Sequence, residues 1–377
     1  MTIGMVVLDF EMQSGIERAT VELSRDFARR GHQVTVFSSS FKTPLTSSMK
    51  HVSIPTWELT TSTKLLTFRF MSQSLLANAE FDVLHSQGPI TGRFDVITMH
   101  SCHRAGMDIR KRNPRMFRTR RNLHIADSIR LTAERNALRR GKYKKIVAVS
   151  HGVKRELSEY YDLPEQDIEV IPNGVDLEEY SRATDERKAK RKVELGFKPD
   201  QVLLIFVANE FDRKGLDYLL QSLTLIKLDN VLLIVAGGDN PRPFVEYSHK
   251  LGVAQKVRFV GLQSSLASYY QASDIFVLPT YYEAFSLATL EAAASGLPLV
   301  VTKVNGTEEL VREGMNGLFI ERDADSIAQR LNLLLNDGVK RKELGDNARR
   351  TAESYSWKNI GEKTLKVYEN VVRMKSS

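Results

Sequence analysis

The sequence predicts an α/β protein made of two doubly wound domains that face each other across a cleft. Three observations lead there. Short runs of apolar, β-branched residues recur along the 377-residue chain, alternating with glycine-containing turns and segments of helical periodicity. A chain of that length is too long for one ordinary domain. Between the halves, the turn Asn173-Gly174-Val175-Asp176 and the polar segment Leu177 to Lys192 interrupt the pattern, which then starts again. The expected boundaries are 1–178 and 179–355. The closing helix, 356–377, has enough spare length after Trp357 to cross back to the first domain.

Composition narrows the class. Hydrophobic residues at 42% and charged residues at 27% describe a soluble globular protein. A single cysteine, Cys102, excludes an internal disulfide and fits a reducing cytoplasm. The first residues, MTIGMVVLDFE, have no basic leading region, so they read as a strand and not as a signal peptide. No run approaches the roughly 18 apolar residues that span a bilayer. Metal-type Cys/His clusters, internal repeats and low-complexity tracts are absent from the sequence.

In the first half, Ile3 to Leu8 reads as a buried strand and Ser14-Gly15 as the loop after it. A helix follows from Ile16 to Arg30, with Ala19, Leu23, Phe27 and Ala28 on its inner face, and Gly31 ends it before a strand from His32 to Phe37. Gly15 either brings backbone close to a phosphate or sugar or merely closes the turn. Val52 to Pro55 and Phe81 to Ser86 are further strands. Thr63 to Ala79, carrying Leu65, Leu66, Phe68, Phe70, Met71, Leu75 and Leu76, reads as a helix whose apolar residues pack into the core, membrane contact being the alternative. Asp95 to His100 reads as a strand that delivers His100 to its C-terminal edge, where ligands of open α/β sheets bind. A surface histidine is the other reading.

The formal charge of +8 is concentrated. From Arg104 to Lys145 there are fifteen Lys/Arg against three acids, so the remainder is slightly acidic. Leu123, Ala126, Ile129, Ala133 and Ala137 trace a helical apolar stripe there, surrounded by Arg118, Arg120, Arg121, Arg130, Arg135, Arg139 and Arg140. Such a helix suits an anionic membrane surface or a phosphorylated acceptor, or is simply a solvated charged face. Nucleic acid is disfavoured because only Phe117 and Tyr143 are available for base stacking. The half closes with strands at Ile146 to Ser150 and Ile168 to Pro172.

In the second half, Val202 to Ala208, Val231 to Ala236, Val257 to Gly261, Asp274 to Pro279 and Leu299 to Thr302 read as strands. The first leads into Asn209-Glu210-Phe211-Asp212-Arg213-Lys214-Gly215 and the second into the turn Gly237-Gly238-Asp239. After the fourth, Ser286 is placed to cap a helix that Gly296 and Pro298 stop. Glu283 therefore lies in the loop and Glu291 inside the helix. The N–H groups around Phe285 to Ala288 make an anion site at the positive end of that helix. Two carboxylates beside an anion site fit a ligand that is both phosphorylated and hydroxylated, such as a sugar nucleotide. Solvated helix-end charges are the bland alternative.

Taken in order, IPNGVD, RKG at Arg213 to Gly215, AGGDN, EAFSLATLEAAASGLPLV with Glu283-x7-Glu291, and GTEELVREGMNGLFI resemble the family 4 glycosyltransferases of GT-B architecture, whose domains are Rossmann-like. The resemblance spans the chain, densely in the second half and more loosely in the first. Within the family, FDRKGLDYLLQSL and the basic middle of the first domain are similar to the lipopolysaccharide core glucosyltransferases. The resemblance implies retaining transfer of a hexose from a nucleotide diphosphate sugar to a cell-envelope glycan or glycolipid, with no bound metal or other cofactor. UDP-glucose is the donor the family favours. It implies Glu283 on donor-sugar hydroxyls, Glu291 on the ribose, and the diphosphate held by Lys214, Arg213 and the N–H groups of Phe285, Ser286 and Leu287. His100 would lie beside the sugar, Gly15 near the phosphates, Gly237 among the donor-binding turns and Val260 near the base. An enzyme of this kind is expected in the cytoplasm, at the inner face of the plasma membrane, with the Arg104 to Lys145 region on anionic lipid.

The sequence departs from the family pattern in three places. Ala208-Asn209-Glu210 stands where many members carry an arginine, which leaves Arg213 as its substitute. Ala284 replaces a usual proline, and Ser14-Gly15 replaces a pair of glycines. A sugar phosphorylase or nucleotide-sugar epimerase on the same architecture, or a non-catalytic membrane- or glycan-binding module, are the rival functions.

Overall fold

The computed structural model describes residues 1–12, 15–77, 79–90, 92–112 and 124–376. The expected Ser14 of the first loop, and Arg118, Arg120, Arg121 and Leu123 of the basic helix, lie outside the described residues. The chain divides into two compact units. The described residues of Met1–Arg112, Thr119–Gly174 and Trp357–Ser377 make one, and Val175–Ser356 makes the other.

The first unit begins β1 (Thr2–Val6), β2 (Asp9–Phe10), α1 (Gly15–Arg29), β3 (Gln33–Ser38), β4 (Ser40–Phe41), β5 (Met49–Ser53) and α2 (Thr61–Leu76). It continues with β6 (Val83–Gln87), β7 (Val96–Met99), α3 (His103–Arg112), α4 (His124–Ala137), β8 (Lys145–Ala148), α5 (His151–Tyr161) and β9 (Ile168–Val170). Seven strands form a parallel sheet in the order β5-β3-β1-β6-β7-β8-β9, with β2 and β4 as a separate small ladder. The order reverses between β1 and β6, because β3 and β5 extend one way and β6 starts the other. A crevice for ligands opens at such a point, outside the C-terminal strand ends.

One expectation for this unit fails. The helix α2 forms, capped by Thr60, but of its apolar side chains only Phe68 is buried. Leu66, Phe70 and Leu75 are exposed, Phe70 to 74%, and so are Trp57 and Leu59 just before the helix. Its apolar residues are spread around the helix, so a single packed face can bury only a few of them.

The second unit contains α6 (Asp185–Glu194), β10 (Val202–Val207), α7 (Leu216–Ser222), β11 (Val231–Ala236), α8 (Arg242–Lys250), β12 (Val257–Gly261), α9 (Ala267–Ala272) and β13 (Ile275–Leu278). Then follow α10 (Leu287–Ala294), β14 (Leu299–Thr302), α11 (Thr307–Leu310), β15 (Gly317–Ile320), α12 (Ala324–Leu335) and α13 (Gly338–Glu353). Its sheet is parallel throughout, in the order β12-β11-β10-β13-β14-β15. VLLIVA and IFVL are buried along their full length, as strands covered on both faces must be. The order reverses between β10 and β13, which places the RKG loop and the Glu283 loop on either side of one crevice. The helix α6 corrects the reading of 177–192 as linker alone. Lys188 and Lys192 fold back onto the half-buried Asp274 at 3.1 and 2.9 Å, and Thr184 caps the helix. Sequence polarity there is that of a helix with one solvated face and two lysines paired with Asp274.

The last helix, α14 (Trp357–Ser376), belongs to the first unit. Trp357, Ile360, Leu365, Val367, Tyr368 and Val371 join Phe27, Val21, Ile3 and Met5 in its hydrophobic core. Gly361 allows close approach to α1: a Cβ there would lie 2.0 Å from Asp26 Oδ2. Arg30 pairs with Asp26 at 2.7 Å and donates to the Lys358 carbonyl at 2.7 Å.

Candidate active site

In the second unit the two crevice loops are stitched together through backbone. Tyr281 N donates to the Arg213 carbonyl at 3.0 Å, and Arg213 Nη1 donates to the Tyr282 carbonyl at 2.5 Å. Gly215 makes that approach possible, because a Cβ there would sit 2.2 Å from the Pro279 carbonyl oxygen, and its φ of +74° suits only glycine well. The result is direct contact between the Lys214 ammonium and the Glu283 carboxylate, both nearly buried. Burial and the Arg213 guanidinium push the Lys214 ammonium well below its ordinary range, while Glu210 pulls the other way. The Glu283 contact opposes the push as well, since an adjacent carboxylate favours the charged amine.

Arg213 is not a loose cation. Its Nε donates to Glu210 at 2.7 Å, so the guanidinium is held between Glu210 and the loop that carries Glu283. Ser286 caps α10, accepting from Thr289 N at 3.2 Å and from Thr289 Oγ1 at 2.7 Å. Helix geometry leaves the N–H groups of Leu287 and Ala288 without acceptors inside the helix, at its positive end. Phe285 is buried just ahead of the cap. Gly306, in the GTEEL segment, packs against this turn: a Cβ there would come 2.7 Å from Phe285 Cα.

Glu291 is buried one turn further on, where Tyr270 Oη donates to it at 3.2 Å. Tyr270 had no signal in the sequence, since an aromatic residue on an apolar helix reads as core. Gly237 sits against the end of β10, where a Cβ would be 1.6 Å from the Ala208 carbonyl oxygen, and its N–H donates to the Gly261 carbonyl at 3.0 Å. Val260 is half-buried near the end of the neighbouring β12, with its carbonyl accepting from Gln263. Lys214, Arg213, Glu283, Phe285, Ser286 and Leu287 thus belong to one loop cluster, while Gly237 and Val260 belong to adjacent strand ends.

In the first unit, Gly15 is the exposed first residue of α1. His100 follows β7, half-buried, and lines a cavity of about 390 Å³ with Val7, Leu8, Glu17, Gln87, His103 and Glu134 among its walls. That cavity lies at the C-terminal ends of β1, β6 and β7, at the reversal of strand order. Burial pushes the His100 ring down to about 4, so it is neutral near pH 7. Glu134 is fully buried and pushed up to about 7 by that burial, with both carboxylate oxygens accepting from His103 N at 3.0 and 3.1 Å. Neither Gln87 nor Glu134 was singled out by the sequence. Among the described residues no group of three or more His, Cys, Asp or Glu is placed to hold a metal ion, and no helix is long and apolar enough to cross a membrane.

Comparison with known proteins adds the family. Residues 187–351 match the family model described as glycosyl transferases group 1, and residues 13–179 match that of glycosyltransferase family 4. An uncharacterised glycosyltransferase of Methanocaldococcus jannaschii is 31% identical over 237 residues, 61% of this chain and 61% of that protein. A D-inositol 3-phosphate glycosyltransferase of Corynebacterium urealyticum is 30% identical over 232 residues, 58% of this chain and 55% of that one. The matches thus span little more than half the length of these two relatives. The lipopolysaccharide glucosyltransferase WaaG of Escherichia coli is 24% identical over 360 residues, 94% of each chain.

Among solved structures, WaaG has a TM-score of 0.82 at 22% identity, covering 97% of this chain and 99% of its own. The sucrose-phosphate synthase of Thermosynechococcus elongatus has a TM-score of 0.82 at 20% identity, covering all of both chains. Anabaena HepE, solved in complex with UDP-glucose, has a TM-score of 0.74 at 16% identity, covering 98% of this chain and 99% of its own. The fold is GT-B, and the second unit carries a cation and two buried acids around a helix start. The chain belongs to the family 4 glycosyltransferases.

Proposed function

We propose that the protein is a hexosyltransferase that moves glucose from UDP-glucose, with retention of anomeric configuration, to a cell-envelope glycan or glycolipid. The observation that carries this reading is the contact of Lys214 with Glu283 at the sheet's reversal point, beside the capped start of α10. An anion-binding helix start with a cation suits a diphosphate, and the flanking acids suit the hydroxyls of sugar and ribose. The name of WaaG supports glucose and a lipopolysaccharide-type acceptor, and the UDP-glucose complex of HepE supports the donor.

In this reading the acceptor hydroxyl attacks the anomeric carbon on the face the diphosphate leaves, so the new C–O bond forms as the old one breaks. The leaving diphosphate takes the acceptor's proton, and no protein nucleophile is needed. Lys214, Arg213 and the first-turn N–H groups of α10 meet the charge that develops on the diphosphate. Glu283 orients the sugar, Glu291 the ribose, and His100 offers a neutral ring to a sugar hydroxyl. Gly15, Gly237 and Val260 supply backbone and surface for phosphate and base.

A second acceptor reading has a specific basis: the inositol phosphate relatives support a phosphorylated polyol. Both acceptors fit the basic surface of the first unit, where Arg130, Arg135, Arg139 and Arg140 are exposed. For work at the inner face of the plasma membrane, the exposed Trp57, Leu59, Leu66, Phe70 and Leu75 add an apolar component to that charge.

Incubation with a panel of nucleotide sugars, with product analysis against lipopolysaccharide-type and inositol phosphate acceptors, tests the reaction. Transfer from UDP-glucose supports it, whereas phosphorolysis or isomer exchange would replace it with the phosphorylase or epimerase reading. Flotation with liposomes of graded anionic content tests location. Binding indifferent to lipid charge and salt would remove the membrane element.

A further inference from the structure

A chain of buried polar groups links the last helix of the first unit to His100. On β6, His85 and Gln87 share one face by the two-residue period, and Gln87 pairs in register with Thr98 of β7. His85 is fully buried, with Nδ1 2.5 Å from Tyr368 Oη of α14 and Nε2 2.7 Å from Thr98 Oγ1. Gln87, 4% exposed, turns its amide nitrogen to the His85 ring, 3.4 Å from both ring nitrogens, and its Oε1 lies 3.0 Å from His100 Nε2.

We propose that Gln87 is a positioning residue for His100, and that Tyr368 and His85 hold Gln87 from behind. A carbonyl oxygen can only accept, so Gln87 makes His100 Nε2 the protonated nitrogen and leaves Nδ1 as a bare acceptor. The ring then offers a substrate hydroxyl one acceptor atom in one orientation. Every member is neutral near pH 7: burial pushes His85 down to about 3 and His100 to about 4. Tyr368 and Thr98 engage both ring nitrogens of His85, so the Gln87 amide nitrogen packs on that ring and the carbonyl oxygen is the end of Gln87 that meets His100. The last helix thereby acts on the site chemically as well as through packing.

The effect on turnover rests on the His100 role proposed above, whereas the tautomer does not. Full-length protein labelled with ¹⁵N-histidine, read by two-bond ¹H–¹⁵N correlation with His100 assigned from a His100→Gln sample, reports the tautomer directly. The wild type is expected to show His100 protonated at Nε2. Gln87→Leu should yield a mixture of tautomers and lower kcat about tenfold, with donor KM changed less than threefold, a size common for partners that orient a working imidazole. Gln87→Glu keeps the acceptor oxygen and should restore the Nε2–H form. Tyr368→Phe should shift the His85 resonances.

An Nδ1–H tautomer in the wild type, or an unchanged His100 spectrum in Gln87→Leu, overturns the proposal. A tautomer change without a change in kcat would leave the positioning intact and overturn the role of His100. Should Gln87→Leu not fold, the wild-type and Gln87→Glu spectra still decide.

Discussion

Replacing Lys214 by alanine separates two jobs that one side chain performs. Lys214 and Glu283 are 12% and 8% exposed and in direct contact, so the variant leaves a buried carboxylate without its partner. Breaking a buried pair from one side costs about 3–5 kcal/mol. In a unit of this size each kcal/mol is worth roughly 2–4 °C in Tm, which places the fall near 10 °C. If Lys214 also meets diphosphate charge in the transition state, kcat/KM falls by about 10²–10³, the scale for losing one fixed charge stabiliser.

The double variant Lys214→Met/Glu283→Gln distinguishes the two jobs. With no charge left unpaired it should regain most of the lost Tm while turnover stays down. Calorimetric melting and initial rates of UDP-glucose turnover on all three proteins supply the numbers. Lys214→Ala with a wild-type Tm would refute the buried pair. Rates within threefold of wild type in that variant would refute the diphosphate role.

Other perturbations test other parts. Glu291→Ala removes the acid hydrogen-bonded by Tyr270 and should weaken UDP binding by about ten- to a hundredfold, the value of one charge-assisted hydrogen bond; calorimetric titration with an unchanged Kd would contradict a ribose contact. Gly237→Ala places a methyl group 1.6 Å from the Ala208 carbonyl oxygen at a φ of +147°, so a loss of more than about 3 kcal/mol in urea unfolding is expected, and a neutral result would show that the strand end can move. Glu134 has a folded-state pKa near 7, above its ordinary 4.5, so its contribution to stability is complete below about 4.5 and is lost as pH rises through 7. Glu134→Gln should therefore flatten the Tm profile between pH 5 and 8 and gain on the wild type at the alkaline end; parallel profiles would exclude a buried, titrating Glu134.

Much of the candidate site was legible because its signals are local. Ser286 as N-cap, Gly296 as stop and Glu283 in the loop ahead of the cap all follow from short-range backbone chemistry, and all are found in the structure. Glycines at 215 and 237 were visible in their motifs, but their purpose was not, since it lies in the carbonyls of Pro279 and Ala208, which follow the ends of β13 and β10. Gln87, Glu134 and Tyr270 were illegible for the same reason. Each acquires a role only from partners 13, 31 and 21 residues away.

The helix α2 and the segment around α6 mark where composition misled. Apolar residues in α2 read as core, yet of them only Phe68 is buried, because their spacing does not gather them onto one face. Polar residues in α6 read as linker, yet Lys188 and Lys192 are satisfied by the half-buried Asp274. By itself the sequence determined the strand and helix segments, the α/β class and the glutamate pair with its helix start, because periodicity, capping and turn chemistry act within a few residues. Only the tertiary structure decided the strand order that brings Lys214 to Glu283 and the path from Tyr368 to His100. Those contacts depend on which distant strands become neighbours, which is settled by burial of the whole sheet.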